Sequence, residues 1–346
     1  MEELNLLILG AGWTATFLIP LLQSRNITFA ATTTTGHPVV GVPTIPFKFD
    51  PAAPEHETRS AIAALPRARH ILITFPLTGA GPSRLLLSTY TETHLTPASA
   101  TQPADGTGPF RFIQLGSTGI WQRTEHQQQQ SQQQPQNHQQ QQQQQQGRQE
   151  APAPTTTAPW LTRHSAYARD HPRAVAEDEL LALGGCVLNL AGLWGGTRVP
   201  RTWARRVVPS KEALRSKTSL HVVHGADVAR AVVRLVRGDA DADGPLWDRV
   251  GRGQRWMVTD GFVYDWWALV AGWADDGGAA AAAHEEGREE GEGEVGPTDR
   301  ARWVFELMRE QGVRALPRPM ETLGRCYDTR EFWEALGLVP SKGRVC

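Results

Sequence analysis

Leu4-Asn5-Leu6-Leu7-Ile8-Leu9-Gly10-Ala11-Gly12-Trp13-Thr14-Ala15 decides the fold. An apolar run passes straight into G-x-G-x-x-A, and a helix-like segment, residues 14–24, follows. In that order of strand, glycine turn and helix, the pattern reads as a dinucleotide site rather than as a Gly-rich turn of some other βα unit. Gly10 allows the tight turn, Gly12 lets a diphosphate approach the backbone, and Ala15 lets the helix sit close on a sheet. Trp13 and Thr14, at the helix N-terminus, offer N–H groups to phosphate oxygens.

Outward from this stretch, strand and helix patterns alternate. Residues 27–33, 44–49, 70–75, 110–115, 186–190 and 220–223 read as strands, and 55–65, 83–94, 163–183 and 227–237 as helices. Such alternation implies an α/β fold, a Rossmann-like doubly wound parallel sheet covered on both faces. Pro20 predicts a kink or early stop in the first helix. Residues 1–240 form the expected dinucleotide-binding domain. Residues 241–346 form a smaller C-terminal subdomain on the substrate side, rich in Trp. Aromatics at this density read first as a small core and second as a substrate platform. Asp260 is the expected N-cap of a helix carrying Tyr264, Trp266 and Trp267, and Asp227 of the helix that follows it. The Gln-rich insertion 126–159 and the Ala/Glu/Gly loop 275–296 bury too little to form packed structure.

Composition narrows the function classes. The 346 residues carry a formal charge of −1, which leaves no basic field for nucleic acid. The three Cys lack paired or C-x-x-C spacing, so neither a disulfide framework nor a zinc site is expected, and a reducing, cytoplasmic compartment fits. His221 and His224 flank a short apolar strand with no further ligands suggested, so no metal is expected. The N-terminal apolar run has no basic n-region and is too short to span a bilayer; it reads as a buried strand, with no membrane role.

Four segments in order carry a family resemblance. They are Gly10-Ala11-Gly12-Trp13-Thr14-Ala15, then Leu115-Gly116-Ser117-Thr118-Gly119-Ile120-Trp121, then Leu188-Asn189-Leu190-Ala191-Gly192-Leu193-Trp194-Gly195-Gly196-Thr197-Arg198, and His224-Gly225-Ala226-Asp227-Val228-Ala229. Together they resemble the extended, atypical short-chain dehydrogenase/reductases, the NAD-dependent epimerase/dehydratase-like proteins, over most of residues 1–240. Trp121 and Trp194 stand where that family usually has Tyr. The resemblance implies that Ser117 helps hold the reacting oxygen, that Phe75 and Pro76 lie over the cofactor, and that Arg198 reaches an anionic group of the substrate. It also implies a Tyr, activated by a Lys four residues on, as acid/base.

Here the sequence departs from the family. No Y-x-x-x-K exists, and no Lys occurs between Lys48 and Lys211. Aligning the helix on Ala176-Glu177-Asp178-Glu179 puts Arg169 at the Tyr position and Arg173 at the Lys position. Arg173 can supply a fixed cation to a ribose or phosphate, but neither Arg can exchange protons near neutrality. Tyr167 with His171, one helical turn apart, is a conceivable substitute pair; two inert residues at the edge of the insertion is the plainer reading. The second strand ends in Thr33-Thr34 without an acidic residue, followed by His37. This mildly favours NADP over NAD. The expected function is thus an NAD(P)-binding oxidoreductase or epimerase-like enzyme acting on a small carbonyl, hydroxyl or sugar-like substrate. The alternative is a catalytically inactive NAD(P)-binding sensor or scaffold.

Overall fold

The computed structural model describes residues 3–95, 109–122, 160–238, 245–274, 297–343 and 345. The expected insertion 126–159 and loop 275–296 lie outside them. In chain order the first elements are β1 (Leu4–Leu9), α1 (Ala15–Ser24), β2 (Phe29–Thr33), β3 (Ile45–Pro46), α2 (Glu55–Ala63), β4 (Ala68–Ile73), α3 (Pro82–His94) and β5 (Arg111–Ser117). Then come β6 (Trp160–Leu161), α4 (Pro172–Ala182), β7 (Cys186–Leu190), β8 (Gly192–Trp194), α5 (Pro200–Val207) and α6 (Lys211–Arg215). The remainder is β9 (Ser219–Leu220), β10 (Val222–His224), α7 (Gly225–Arg237), β11 (Arg255–Val258), β12 (Tyr264–Asp265), α8 (Trp266–Gly272), α9 (Pro297–Glu310), β13 (Cys326–Tyr327) and α10 (Arg330–Leu336).

Seven strands form one parallel sheet in the order β11-β7-β5-β4-β1-β2-β3. The chain winds outward from β1 to β3, returns to β4 on the other side of β1, and winds out again. The strand order therefore reverses between β1 and β4, the switch point where such sheets leave a crevice at their carboxyl ends. Alternate residues of β1 feed opposite faces: Leu6 and Ile8 pack with α1, α7 and α10, while Leu7 and Leu9 pack with α2, α3 and α4. Burial on both faces explains why β1 reads as a continuous apolar run.

Four expectations about local structure are corrected. Helix α1 runs through Pro20 to Ser24; Pro20 and Thr16 are both exposed, so water can reach the carbonyl that Pro20 leaves without a donor. The helix expected over 163–183 is α4 alone, because Pro172 fixes its first turn and the His171 ring caps it. Asp265, not Asp260, caps α8 through the Trp267 N–H at 2.9 Å, and His224, not Asp227, caps α7 through Ala226 N–H at 3.0 Å. Asp227 lies inside the first turn of α7, where it accepts hydrogen bonds from Ser341, Lys342 and Arg230. It thereby ties down the C-terminal segment.

The residues after 240 contribute to two apolar clusters. β11 completes the central sheet and α10 packs beside it, so Trp247, Trp256 and Trp333 belong to the main core. Trp266, Trp267 and Trp273 build a separate apolar cluster with α5, α6 and α9. Most of the Trp residues in this region therefore pack as core. Among the described residues no helix is long and apolar enough to cross a membrane.

Candidate functional site

The glycine turn sits at the switch point and is held from both sides. Gly10 has φ +87°, a left-handed conformation that a side chain would strain. A Cβ there would also lie 2.8 Å from Thr74 Oγ1 and 3.0 Å from the Phe75 ring. Thr74 Oγ1 donates towards the carbonyls of Leu9 and Gly10. From β2, Thr32 Oγ1 accepts the Gly10 N–H at 3.0 Å and the Thr32 carbonyl accepts the Ala11 N–H at 2.6 Å. Gly12 differs: its nearest neighbour for a Cβ is the Gly10 carbonyl at 3.9 Å. Its outer face is open, and no backbone carbonyl among the described residues takes up the N–H groups of Trp13 or Thr14. Ala15 is buried against the sheet.

Around this turn, Phe75 is half-buried and stacks on Phe49 at 6.2 Å, with Pro76 exposed beside it. Thr33 is buried and spends its hydroxyl on Thr44 Oγ1 at 2.8 Å. Thr34 and His37 are exposed at the end of β2. The Trp13 indole donates to the Gly195 carbonyl at 3.1 Å, and the Arg198 guanidinium lies over its ring at 4.5 Å. Arg198 is thus brought to the glycine turn by the loop after β8.

At the end of β5, Ser117 is half-buried and its Oγ accepts the Gly119 N–H at 3.1 Å, capping a short 3-10 helix (Thr118–Trp121). Tyr167 and His171 are not brought together. The Tyr167 hydroxyl donates to Asp178 at 2.6 Å, and His171 Nδ1 accepts the Arg173 N–H at 3.2 Å. Burial and the Asp178 carboxylate both push the Tyr167 phenol up, opposite to the direction an acid/base needs. Arg169 lies beside the Tyr167 ring. Arg173 is half-buried, one turn before Glu177, and its charge favours the Glu177 carboxylate.

A buried ionic network underlies Ser117, and sequence reasoning missed it. Glu177 Oε2 accepts from Arg255 and from Asn189 Nδ2, and Asn189 Nδ2 also donates to the Ser117 carbonyl at 3.1 Å. Arg255 reaches Asp178 at 2.7 Å and Asn189 Oδ1 at 3.1 Å. Burial pushes the Glu177 carboxyl up against the pull of Arg255. A Glu on an apolar helix face and an Arg opening an apolar strand are the only traces of this network in the sequence.

Sequence reasoning also missed a cleft of about 780 Å³ at the carboxyl end of β11, walled by Trp160, Asp260, Tyr327 and Trp333. Asp260 is 2 % exposed and accepts from Tyr264 Oη at 2.6 Å and Phe262 N–H at 3.0 Å. Burial outweighs these donors and pushes its carboxyl up to about 6. The native carboxyl therefore holds a proton that the unfolded chain, near 3.8, has released. Stability from this source is complete below the unfolded value and is lost as pH rises through about 6. Relative to Asp260→Asn, the wild type is expected to lose about 2 kcal/mol of unfolding free energy between pH 4 and 7. Urea melts of both proteins across that range check it; parallel profiles would refute it.

No family model matches the chain, and no curated protein matches it. Solved structures resemble it over nearly its whole length. A protein of Methylobacillus flagellatus, provisionally named an NAD-dependent epimerase/dehydratase, superposes with a TM-score of 0.51 at 12% identity, covering 96% of this chain and 92% of its own. A conserved protein of unknown function from Silicibacter pomeroyi gives 0.52 at 16%, covering 98% and 94%. MoeE5, solved with UDP-glucuronic acid and NAD, gives 0.50 at 10%, covering 99% and 95%. At these identities the likeness establishes the Rossmann-like fold that the three share with this chain.

Proposed function

We propose, from a fold shared with epimerase/dehydratase structures, that the chain binds NADP or NAD across the β1/β4 switch point and works as an oxidoreductase or epimerase-like enzyme of the extended short-chain dehydrogenase/reductase type. Its substrate is a small carbonyl, hydroxyl or sugar-like compound. The observation that carries the reading is the turn itself, left-handed at Gly10, open over Gly12, and with no backbone carbonyl among the described residues on the N–H groups of Trp13 and Thr14. Those groups suit a diphosphate. Phe75 and Pro76 flank the same crevice. Exposed Thr34 and His37 favour NADP, since no acidic side chain ends β2 to repel a 2′-phosphate; Thr33, already bonded inside, supports the strand end. Arg173 supplies the cation for a ribose or phosphate, and Arg198 receives an anionic group of the substrate.

When bound, the nicotinamide supplies two-electron chemistry; the chain's own residues bind, orient and move protons. Ser117 donates its hydroxyl proton to the reacting oxygen while its Oγ keeps the Gly119 N–H. A second reading, a catalytically silent NAD(P)-binding protein, is favoured by one observation: the Tyr167 hydroxyl is occupied by Asp178 rather than joined to His171.

Calorimetry with NADPH and NADH tests the shared premise. Binding is expected with NADPH the tighter ligand, and absence of both kinds of binding would sink it. Arg173→Ala is expected to weaken NADPH about tenfold, ~1.4 kcal/mol; an unchanged affinity removes that role. Turnover of carbonyl compounds or nucleotide sugars that falls in Ser117→Ala favours the enzyme over the silent binder.

A further inference from the structure

The proposed chemistry needs a group that gives a proton to a carbonyl oxygen, and the helix position that would carry a Tyr holds Arg169. Each of the four tyrosines is described. Tyr90 is buried between α2 and β4, where its hydroxyl donates to the Pro66 carbonyl at 3.0 Å and accepts the Ala68 N–H at 2.9 Å. Tyr167 is bound to Asp178 and Tyr264 to Asp260. The fourth, Tyr327, is carried by β13, which pairs with β6. Its hydroxyl reaches the Thr118 carbonyl at 3.3 Å, one residue past Ser117, and the same residue walls the 780 Å³ cleft.

We propose that Tyr327 is the proton donor of this site, reaching from the C-terminal segment to the oxygen that Ser117 helps to hold. The assignment rests on the dinucleotide reading. In carbonyl reduction, the carbonyl carbon gains a hydride from the reduced nicotinamide dinucleotide, which leaves oxidised. The π electron pair moves to the oxygen, and that oxygen takes the Tyr327 phenolic proton as the O–H bond of tyrosine breaks. Water entering the cleft returns a proton to the phenolate.

Two features suit Tyr327 to this role. Its present hydrogen bond, at 3.3 Å, is long for an O–H donor, so a substrate oxygen at ordinary distance would make the stronger bond. The ring is also held in place. The Tyr327 backbone N–H donates to His221 Nε2 at 3.0 Å, and the two rings lie 4.3 Å apart. That bond puts the His221 proton on Nδ1, which is buried with no hydrogen-bond partner among the described residues. Burial lowers His221 to about 3, so it remains a neutral support beside the tyrosine.

Tyr327→Phe keeps the ring and its packing against Ile120, Trp121 and Met257. NADPH affinity by calorimetry is expected to stay within about twofold, while turnover of 4-nitrobenzaldehyde falls about 100-fold or more. A second readout needs no cofactor. In protein labelled with [13Cζ]tyrosine, the resonance missing from Tyr327→Phe is expected to shift when 4-nitrobenzaldehyde is added, and the Tyr90 resonance to stay. Full turnover by Tyr327→Phe, or a Tyr327 resonance indifferent to the aldehyde, overturns the assignment and leaves the dinucleotide reading intact. Failure of the wild type to bind NADPH instead removes that reading, and this assignment with it.

Discussion

Gly12→Asp is expected to weaken NADPH binding about 100-fold, ~2.7 kcal/mol, with little change in melting temperature. The fold does not need glycine at position 12. Its backbone lies outside the left-handed region, and a Cβ would meet nothing closer than 3.9 Å. What Asp fills is the open face beside the Trp13 and Thr14 N–H groups, and it brings a negative charge to a place suited to a diphosphate. Gly10→Ala is the control with the opposite signature. There φ is +87° and Thr74 Oγ1 is 2.8 Å from the added carbon, so folding itself should suffer by about 1–3 kcal/mol. Calorimetry and thermal melts of the two variants separate ligand from scaffold. If Gly12→Asp binds NADPH as the wild type does, the diphosphate does not lie on this turn.

Arg255→Leu is expected to cost about 3–5 kcal/mol of unfolding free energy, because it strands a buried carboxylate. Glu177 is 3 % exposed, and the Arg255 side chain is the cation on its Oε2. Asn189 alone cannot replace that charge. The damage should extend to the site, since Asn189 links Glu177 to the Ser117 carbonyl. Removing both charges tests the cause. In Glu177→Leu/Arg255→Leu no buried ion remains, and most of the lost stability should return. Urea unfolding of the two variants decides it. A single variant costing under about 1 kcal/mol, or a double variant no better than the single, would show that the pair is not what holds this region.

The contrast between these two positions explains how much was legible in advance. Gly10, Gly12 and Ala15 act through local backbone geometry, and a run of twelve residues is enough to recognise them. Arg255 and Glu177 are 78 residues apart and meet only because β11 joins β7 beside α4. Four apolar or basic residues after Gly253 carry too little pattern to mark β11 as a central strand. Tyr327 was hidden in the same way. Its position beside Thr118, 209 residues away in the chain, follows from the pairing of β13 with β6. The conceivable Tyr167–His171 pairing, weighed below the inert reading, has no helical turn to join it, because Pro172 starts the helix after both residues.

Amino-acid order by itself determined the alternation of strands and helices, the doubly wound sheet and the glycine turn, since each depends on side-chain periodicity or on the dihedral freedom of neighbouring residues. Only the tertiary structure decided which distant groups meet: the Tyr327 hydroxyl and the Thr118 carbonyl, Arg255 and Glu177, Arg198 over Trp13. Those contacts join segments distant in the chain, and their geometry exists only once the sheet has ordered and the C-terminal segment has packed against it.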